Sequence, residues 1–239
     1  MLLFVDTFTE TLTPEVGRAA VRVHEAAGYR VELASRPVCC GRPLFDHGLL
    51  DTARRQLTHL ARTFGPAARA GVPIVGLEPS CVAALRDELT EMLPRDADAV
   101  AVAGATRTLA ELLVEAGWEP PHLDGEVLVH GHCHHEAVMG MSADRRLLEA
   151  AGATWRDLDA GCCGLAGSFG FRAGDPYAVS VASGERRLAP AVRAAEPDAV
   201  LLADGFSCRT QVEHLAPGSA RPRHLAELLA TALDGGPVR

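Results

Sequence analysis

One order of motifs occurs twice in this chain, and that repetition limits its fold more than any other feature. Glu25-Ala-Ala-Gly28 is followed by a strand-like run, Tyr29–Leu33, and then by Cys39-Cys40-Gly41. Glu149-Ala-Ala-Gly152 is followed by Thr154–Leu158 and then by Cys162-Cys163-Gly164. Further on, Val72–Cys81 parallels Ala199–Cys208. The offsets are 124, 123 and 127 residues, and three matches in one order imply two structurally equivalent lobes.

Each copy reads as short apolar strands alternating with amphipathic helices, which is the pattern of parallel strands covered by helices. The expected fold class is therefore α/β, with two pseudo-repeated lobes, each a small parallel sheet flanked by helices. Strands are expected at about 2–6, 29–33 and 73–77, and again at 126–130, 154–158 and 199–203. Helices are expected at about 13–27, 49–64, 80–92, 143–151, 176–194 and 207–214. Residues 1–95 make lobe one, 96–125 a connection with a helix, and 126–239 lobe two, which ends in a closing helix at about His224–Leu233.

Parallel α/β sheets bind ligands beyond the carboxyl ends of their strands, and every cysteine here follows a predicted strand. In lobe two Cys133, Cys162, Cys163 and Cys208 are expected to meet at one rim. A vicinal pair can aim both sulfurs at one site only from a turn, because neighbours on a strand point to opposite faces. Gly161 and Gly164 supply the backbone freedom.

Seven cysteines is an odd number and the chain is long, so a secreted disulfide framework does not fit. The residues leave three readings open: iron–sulfur, zinc, or bare thiols. Four thiolates without a Cys-x-x-Cys chelate favour the first. Lobe one has Cys39, Cys40 and Cys81, a possible second site that would need a non-cysteine ligand such as Asp6, His47 or Glu78. It reads more simply as a degenerate copy with packed thiols. In the run His130-Gly-His-Cys-His-His135, the residues His130, His132 and His134 are candidates for hydrogen bonds to cluster sulfurs. His224 is expected to be structural.

Other chemistries are excluded or weak. The net charge of −8 argues against nucleic acid as a partner. All 23 basic residues are Arg, so lysine-dependent chemistry is absent. Ser168 lacks a nucleophile elbow. No run is long enough for a transmembrane segment, and Met1–Val5 reads as a strand, so a cytoplasmic location is expected, with peripheral attachment at the inner membrane face only through partners.

The stretches Pro37–Phe45, Gly76–Cys81, Val129–His134, Gly161–Gly170 and Ala203–Cys208 resemble the tandem cysteine-rich CCG domain. That domain occurs in the cysteine-rich subunit of heterodisulfide reductase and in iron–sulfur subunits of glycolate and lactate oxidases. The likeness is strongest to the C-terminal module of FAD-linked oxidase/iron–sulfur fusion proteins, and it extends over essentially the whole chain. It implies an iron–sulfur electron-transfer module of a flavin-dependent 2-hydroxy-acid dehydrogenase of the lactate or glycolate type. Such a module is an oxidoreductase component that does not itself act on the organic substrate.

The implied cofactor is an iron–sulfur cluster of the [4Fe-4S] kind, with FAD on a partner. The implied partners are a flavin-containing oxidase subunit or domain, a ferredoxin-like domain, and a quinone or redox-protein acceptor. The sequence departs from the family pattern where a terminal Cys-x-x-Cys would begin, with Glu78 and Gly205 at those positions, and lobe one lacks the leading cysteine. The alternative reading is a zinc-binding or metal-free docking module of the same fold. A thiol–disulfide enzyme acting through Cys162 and Cys163 is disfavoured by the strain of a vicinal disulfide ring.

Overall fold

A computed structural model describes residues 1–196 and 198–236; the last three residues assigned to lobe two lie outside the described residues. The first lobe runs β1 (Leu2–Phe4), α1 (Thr7–Thr11), α2 (Pro14–Ala26), β2 (Glu32–Leu33), α3 (Arg42–Asp46) and α4 (Leu50–Arg69). It continues through β3 (Ile74–Gly76), α5 (Pro79–Arg86), α6 (Glu88–Met92), α7 (Ala97–Ala105), β4 (Thr106–Thr108) and α8 (Leu109–Glu115). The second lobe runs β5 (Glu126–Val129), a π-helical turn at His135–Met139, α9 (Ser142–Ala150), β6 (Thr154–Asp157) and a 3-10 turn at Phe169–Phe171. It ends with α10 (Asp175–Arg186), α11 (Leu188–Arg193), β7 (Val200–Leu202), α12 (Phe206–Leu215), β8 (Pro222–Arg223) and α13 (Leu225–Leu233).

Two four-stranded parallel sheets result, in the orders β2-β1-β3-β4 and β6-β5-β7-β8. The orders correspond strand for strand, so the sequence repeat is a repeat of fold. Register matches too: Leu2 pairs with Ile74 as Val127 pairs with Val200. The central strands are apolar because both faces are covered. Ile74, Val75, Val127 and Leu128 are fully buried, as strands between helical layers must be.

The lobes are tied by an exchange of helices. The closing helix α13 of lobe two packs on α2 of lobe one, and α8, which ends lobe one, packs on α9 of lobe two. Ala20 and Val23 of α2 share one core with Leu225, Leu228 and Leu229 of α13 and with Leu112 and Leu113 of α8. Each lobe also keeps a core of its own, around Leu60 and Phe64 in the first and Leu188 and Leu201 in the second.

The helix expected at 80–92 is in two pieces that meet at Asp87, and the strand expected at 29–33 is reduced to Glu32–Leu33. Three further features differ from the sequence expectation. The segment after residue 96 is more than a connection, because β4 pairs with β3 and completes the first sheet. The helix expected at 176–194 breaks at Arg187. Pro190 has no N–H and its ring would strike the carbonyl four residues back, at Arg186. The helix expected to stop at 64 runs through Pro66 to Arg69. There Gly65 lets α7 approach so closely that a Cβ would lie 2.3 Å from Asp98 Oδ1.

Candidate metal centre

All four cysteines of lobe two come together. Cys133 opens the helical turn that follows β5, Cys162 and Cys163 lie in the turn after β6, and Cys208 in the first turn of α12, beyond β7. Their thiols form an unbroken line of contacts: Cys133 with Cys162, Cys162 with Cys163, and Cys163 with Cys208. Cys133 and Cys162 are exposed, whereas Cys163 and Cys208 are buried. The row thus begins at the surface and ends in the core.

Thiols this close cannot all ionise. Hydrogen bonds from Cys133 and then Cys163 hold the Cys162 thiol far below its ordinary range. The contact with Cys163 does the same for Cys208, against the cost of burial and with help from His130. Cys133 and Cys163, the donors, are pushed up by these contacts and by desolvation. A bound metal group would take up the sulfurs as thiolates and release their protons.

The turn that carries the pair is built for it. Gly164 has φ +93°, and a Cβ there would lie 2.3 Å from the Ser180 carbonyl oxygen. Its N–H donates to Cys162 Sγ at 3.3 Å. The first lobe repeats this, with Gly41 N–H donating to Cys39 Sγ at 3.4 Å. Gly205 is required for a different reason: a Cβ would lie 2.3 Å from His132 Cδ2. The His132 ring therefore fills the space beside the position where the family pattern has a further cysteine.

The histidines of the run divide. His130 is buried against Cys208; desolvation opposes its protonation, but Cys208 together with the Glu136 and Cys162 charges outweighs that and raises its pKa. His132 Nδ1 accepts the His134 N–H at 3.1 Å. Burial lowers the His134 pKa, with the Arg42 charge adding to the effect. His132, Cys133 and His134 have ligand atoms mutually within 4.8 Å. His135 points away from the cysteines, toward Asp144. Sequence reasoning gave His135 no separate role and did not single out Asp144. The available signal was an aspartate on the buried face of α9, beside Ala143, Leu147 and Leu148. His224 caps α13 and reaches the Leu77 carbonyl of lobe one at 3.1 Å.

Lobe one gathers its three cysteines as well. Cys40 and Cys81 Sγ atoms lie 2.9 Å apart, and Cys39 contacts Cys40. By strand register the counterpart of Cys133 is Phe8, whose ring stacks on Phe206 of lobe two at 4.6 Å. The side chains considered as substitute ligands are engaged elsewhere. Asp6 caps α1 through the Phe8 and Thr9 N–H groups. Glu78 accepts from Ser80 Oγ and, across the lobes, from the Phe206 N–H at 2.8 Å. His47 meets Ser168 Oγ of lobe two at 3.3 Å.

A family model for the cysteine-rich CCG domain matches residues 5–86. The chain carries a cysteine-rich CCG domain. The match falls on the lobe that holds three cysteines, and the fold of that CCG lobe is repeated by the second. Among curated relatives, a subunit of the anaerobic glycerol-3-phosphate dehydrogenase of Escherichia coli K12 is 33% identical over 227 residues. That alignment covers 92% of this chain and 56% of the relative, so the chain spans about half the length of that protein. Lactate utilization protein A of Bacillus cytotoxicus is 28% identical over 178 residues, covering 70% of this chain and 72% of the relative. Its counterpart in Oceanobacillus iheyensis is 25% identical over 181 residues, covering 71% of this chain and 72% of the relative. Among the described residues, no helix is long and apolar enough to cross a membrane.

Proposed function

We propose that this chain is an iron–sulfur electron-transfer module of a dehydrogenase, with one cluster held by Cys133, Cys162, Cys163 and Cys208. The observation that carries the reading is the line of four thiols running from surface to core. A tetrahedral zinc site would need every sulfur pair about 3.8 Å apart, given a Zn–S bond of about 2.3 Å. These four sulfurs are strung out instead, and among the described residues the compact three-ligand groups are other ones. A row of thiolates suits a polynuclear cluster, for which four cysteines are the usual complement. The cluster, when bound, supplies one-electron transfer.

The chain's own groups would set its properties. The Gly164 N–H and the His130 ring lie against ligand sulfurs and would raise the potential by stabilising added negative charge. Exposed Cys133 and Cys162 mark the edge for electron exchange with a partner.

The relatives' names support a place in a dehydrogenase: one belongs to a glycerol-3-phosphate enzyme, the others to lactate utilization. A 2-hydroxy acid is the substrate class we favour for the partner enzyme, which would carry the FAD. The resemblance to fused oxidases supports this. Cycling tests the reading. After anaerobic reconstitution, chemical reduction should give an EPR signal that a quinone analogue abolishes and a second reduction restores. A spectrum unchanged by reductant and oxidant would refute it.

A further inference from the structure

Beneath the cysteine rim, a small cavity lies between the lobes. It is lined from lobe one by Leu77, Pro79 and Thr108, and from lobe two by His135, Asp144, Asp204 and His224. Its volume of about 10 Å³ admits roughly one water-sized body. His135 Nε2, Asp144 Oδ2 and a carboxylate oxygen of Asp204 lie mutually within 4.8 Å.

Two of the three have no hydrogen-bond partner. His135 and Asp144 are each 2% exposed, and neither His135 Nε2 nor Asp144 Oδ2 makes a hydrogen bond. They approach each other to 3.2 Å, and a carboxylate oxygen of Asp204 lies within 4.8 Å of both. Orphaned polar atoms this deep are costly.

Two carboxylates share the space with one neighbouring imidazole, His135, while Asp204 Oδ1 also accepts the Leu225 N–H at 2.8 Å. No Arg lines the cavity. His224 Nε2 is 3.7 Å from Asp204 Oδ1 but faces the Leu77 carbonyl at 3.1 Å. His224 Nδ1 accepts the Ala226 N–H, which leaves the proton on Nε2 for Leu77. Two carboxylates and one imidazole therefore converge on a space with room for one ion.

From this geometry we infer a buried divalent-cation site on His135, Asp144 and Asp204, separate from the cysteines. One imidazole and two carboxylates suit Mn²⁺, Fe²⁺, Co²⁺ or Zn²⁺ better than Ca²⁺, which takes six to eight oxygens. The two negative charges balance a dication. The site's position gives it a purpose. His135 follows Cys133 by two residues, and Asp204 precedes Cys208 by four. One ion would brace both cysteine loops from below and pin them to α9. The site stands on its own geometry and does not require a cluster to be present.

Mn²⁺ is the probe, because thiolates hold this hard ion poorly. The full chain, purified anaerobically, is titrated with Mn²⁺ alone, and free ion is counted by EPR. One saturable equivalent is expected, weakened at least tenfold in Asp144→Asn and His135→Gln. The bound ion should show imidazole nitrogen coupling in pulsed EPR, lost in His135→Gln. A Cys162→Ser/Cys163→Ser variant should bind Mn²⁺ as the wild type does, whatever its effect on iron. Absence of saturable binding up to millimolar Mn²⁺ would overturn the proposal. So would binding abolished by the cysteine changes, or unaffected by both ligand changes. If the ligand variants do not fold, a wild-type Mn²⁺ signal without nitrogen coupling overturns it equally.

Discussion

Gly164 and Gly41 hold equivalent places in the two cysteine turns, yet they bear different loads. Both have positive φ, at +93° and +79°, but only Gly164 is crowded. Gly41→Ala should cost about 1 kcal/mol, the price of a left-handed alanine. Gly164→Ala adds a collision with the Ser180 backbone and should cost about 2 kcal/mol or more beyond that. Chemical denaturation of the two variants checks the order; equal losses would contradict it. His24 offers a second test. It is fully buried, and desolvation lowers its pKa despite a hydrogen bond with the Ala20 carbonyl. The unfolded chain then binds a proton that the fold excludes. This group costs nothing well above pH 6.5. It destabilises progressively as pH falls through 6.5 toward the folded value, and the loss levels off below that. Urea unfolding of His24→Leu and wild type should show a smaller acid loss in the variant between pH 7.5 and 5. The cysteine site was legible at this scale because vicinal cysteines flanked by glycine are rare and follow strands. The His135–Asp144–Asp204 group was not, since it joins three elements through ordinary residues whose meeting depends on how α9 packs.

Helices and strands were legible where an apolar run or period marked them. Strands β1, β3, β5 and β7 are apolar and buried, and the sequence shows them directly. Strands β4 and β8 are not visible in that way. Thr106-Arg-Thr108 and Pro222-Arg223 have no apolar run, and their backbones are recruited by a neighbouring strand. Thr108 also begins α8 with a complete capping box, its Oγ taking the Glu111 N–H while Glu111 takes the Thr108 N–H. Thr108→Ala should therefore destabilise by about 1 kcal/mol, with Thr108→Ser close to wild type in the same melting experiment. A Ser variant as weak as the Ala variant would show that the methyl packing of Thr108, and not its cap, matters.

The whole molecule is a two-fold repeat whose halves exchange their closing helices, α8 onto α9 and α13 onto α2. Because one core contains residues of both lobes, unfolding either lobe strips apolar surface from the other. Calorimetry should show one transition with matching calorimetric and van't Hoff enthalpies; two resolved transitions would mean independent lobes. This arrangement sets the two cysteine turns side by side, linked by Phe8 on Phe206, Glu78 to Phe206 and His47 to Ser168, while only the second keeps four thiols. The claim that one cluster sits there is tested most directly by counting iron and acid-labile sulfide per chain after anaerobic reconstitution, in wild type and in Cys133→Ser, Cys162→Ser and Cys39→Ser. About four of each is expected in wild type and in Cys39→Ser, with loss in the two lobe-two variants. Wild-type protein without iron and sulfide, or a full complement surviving in Cys162→Ser, would contradict it.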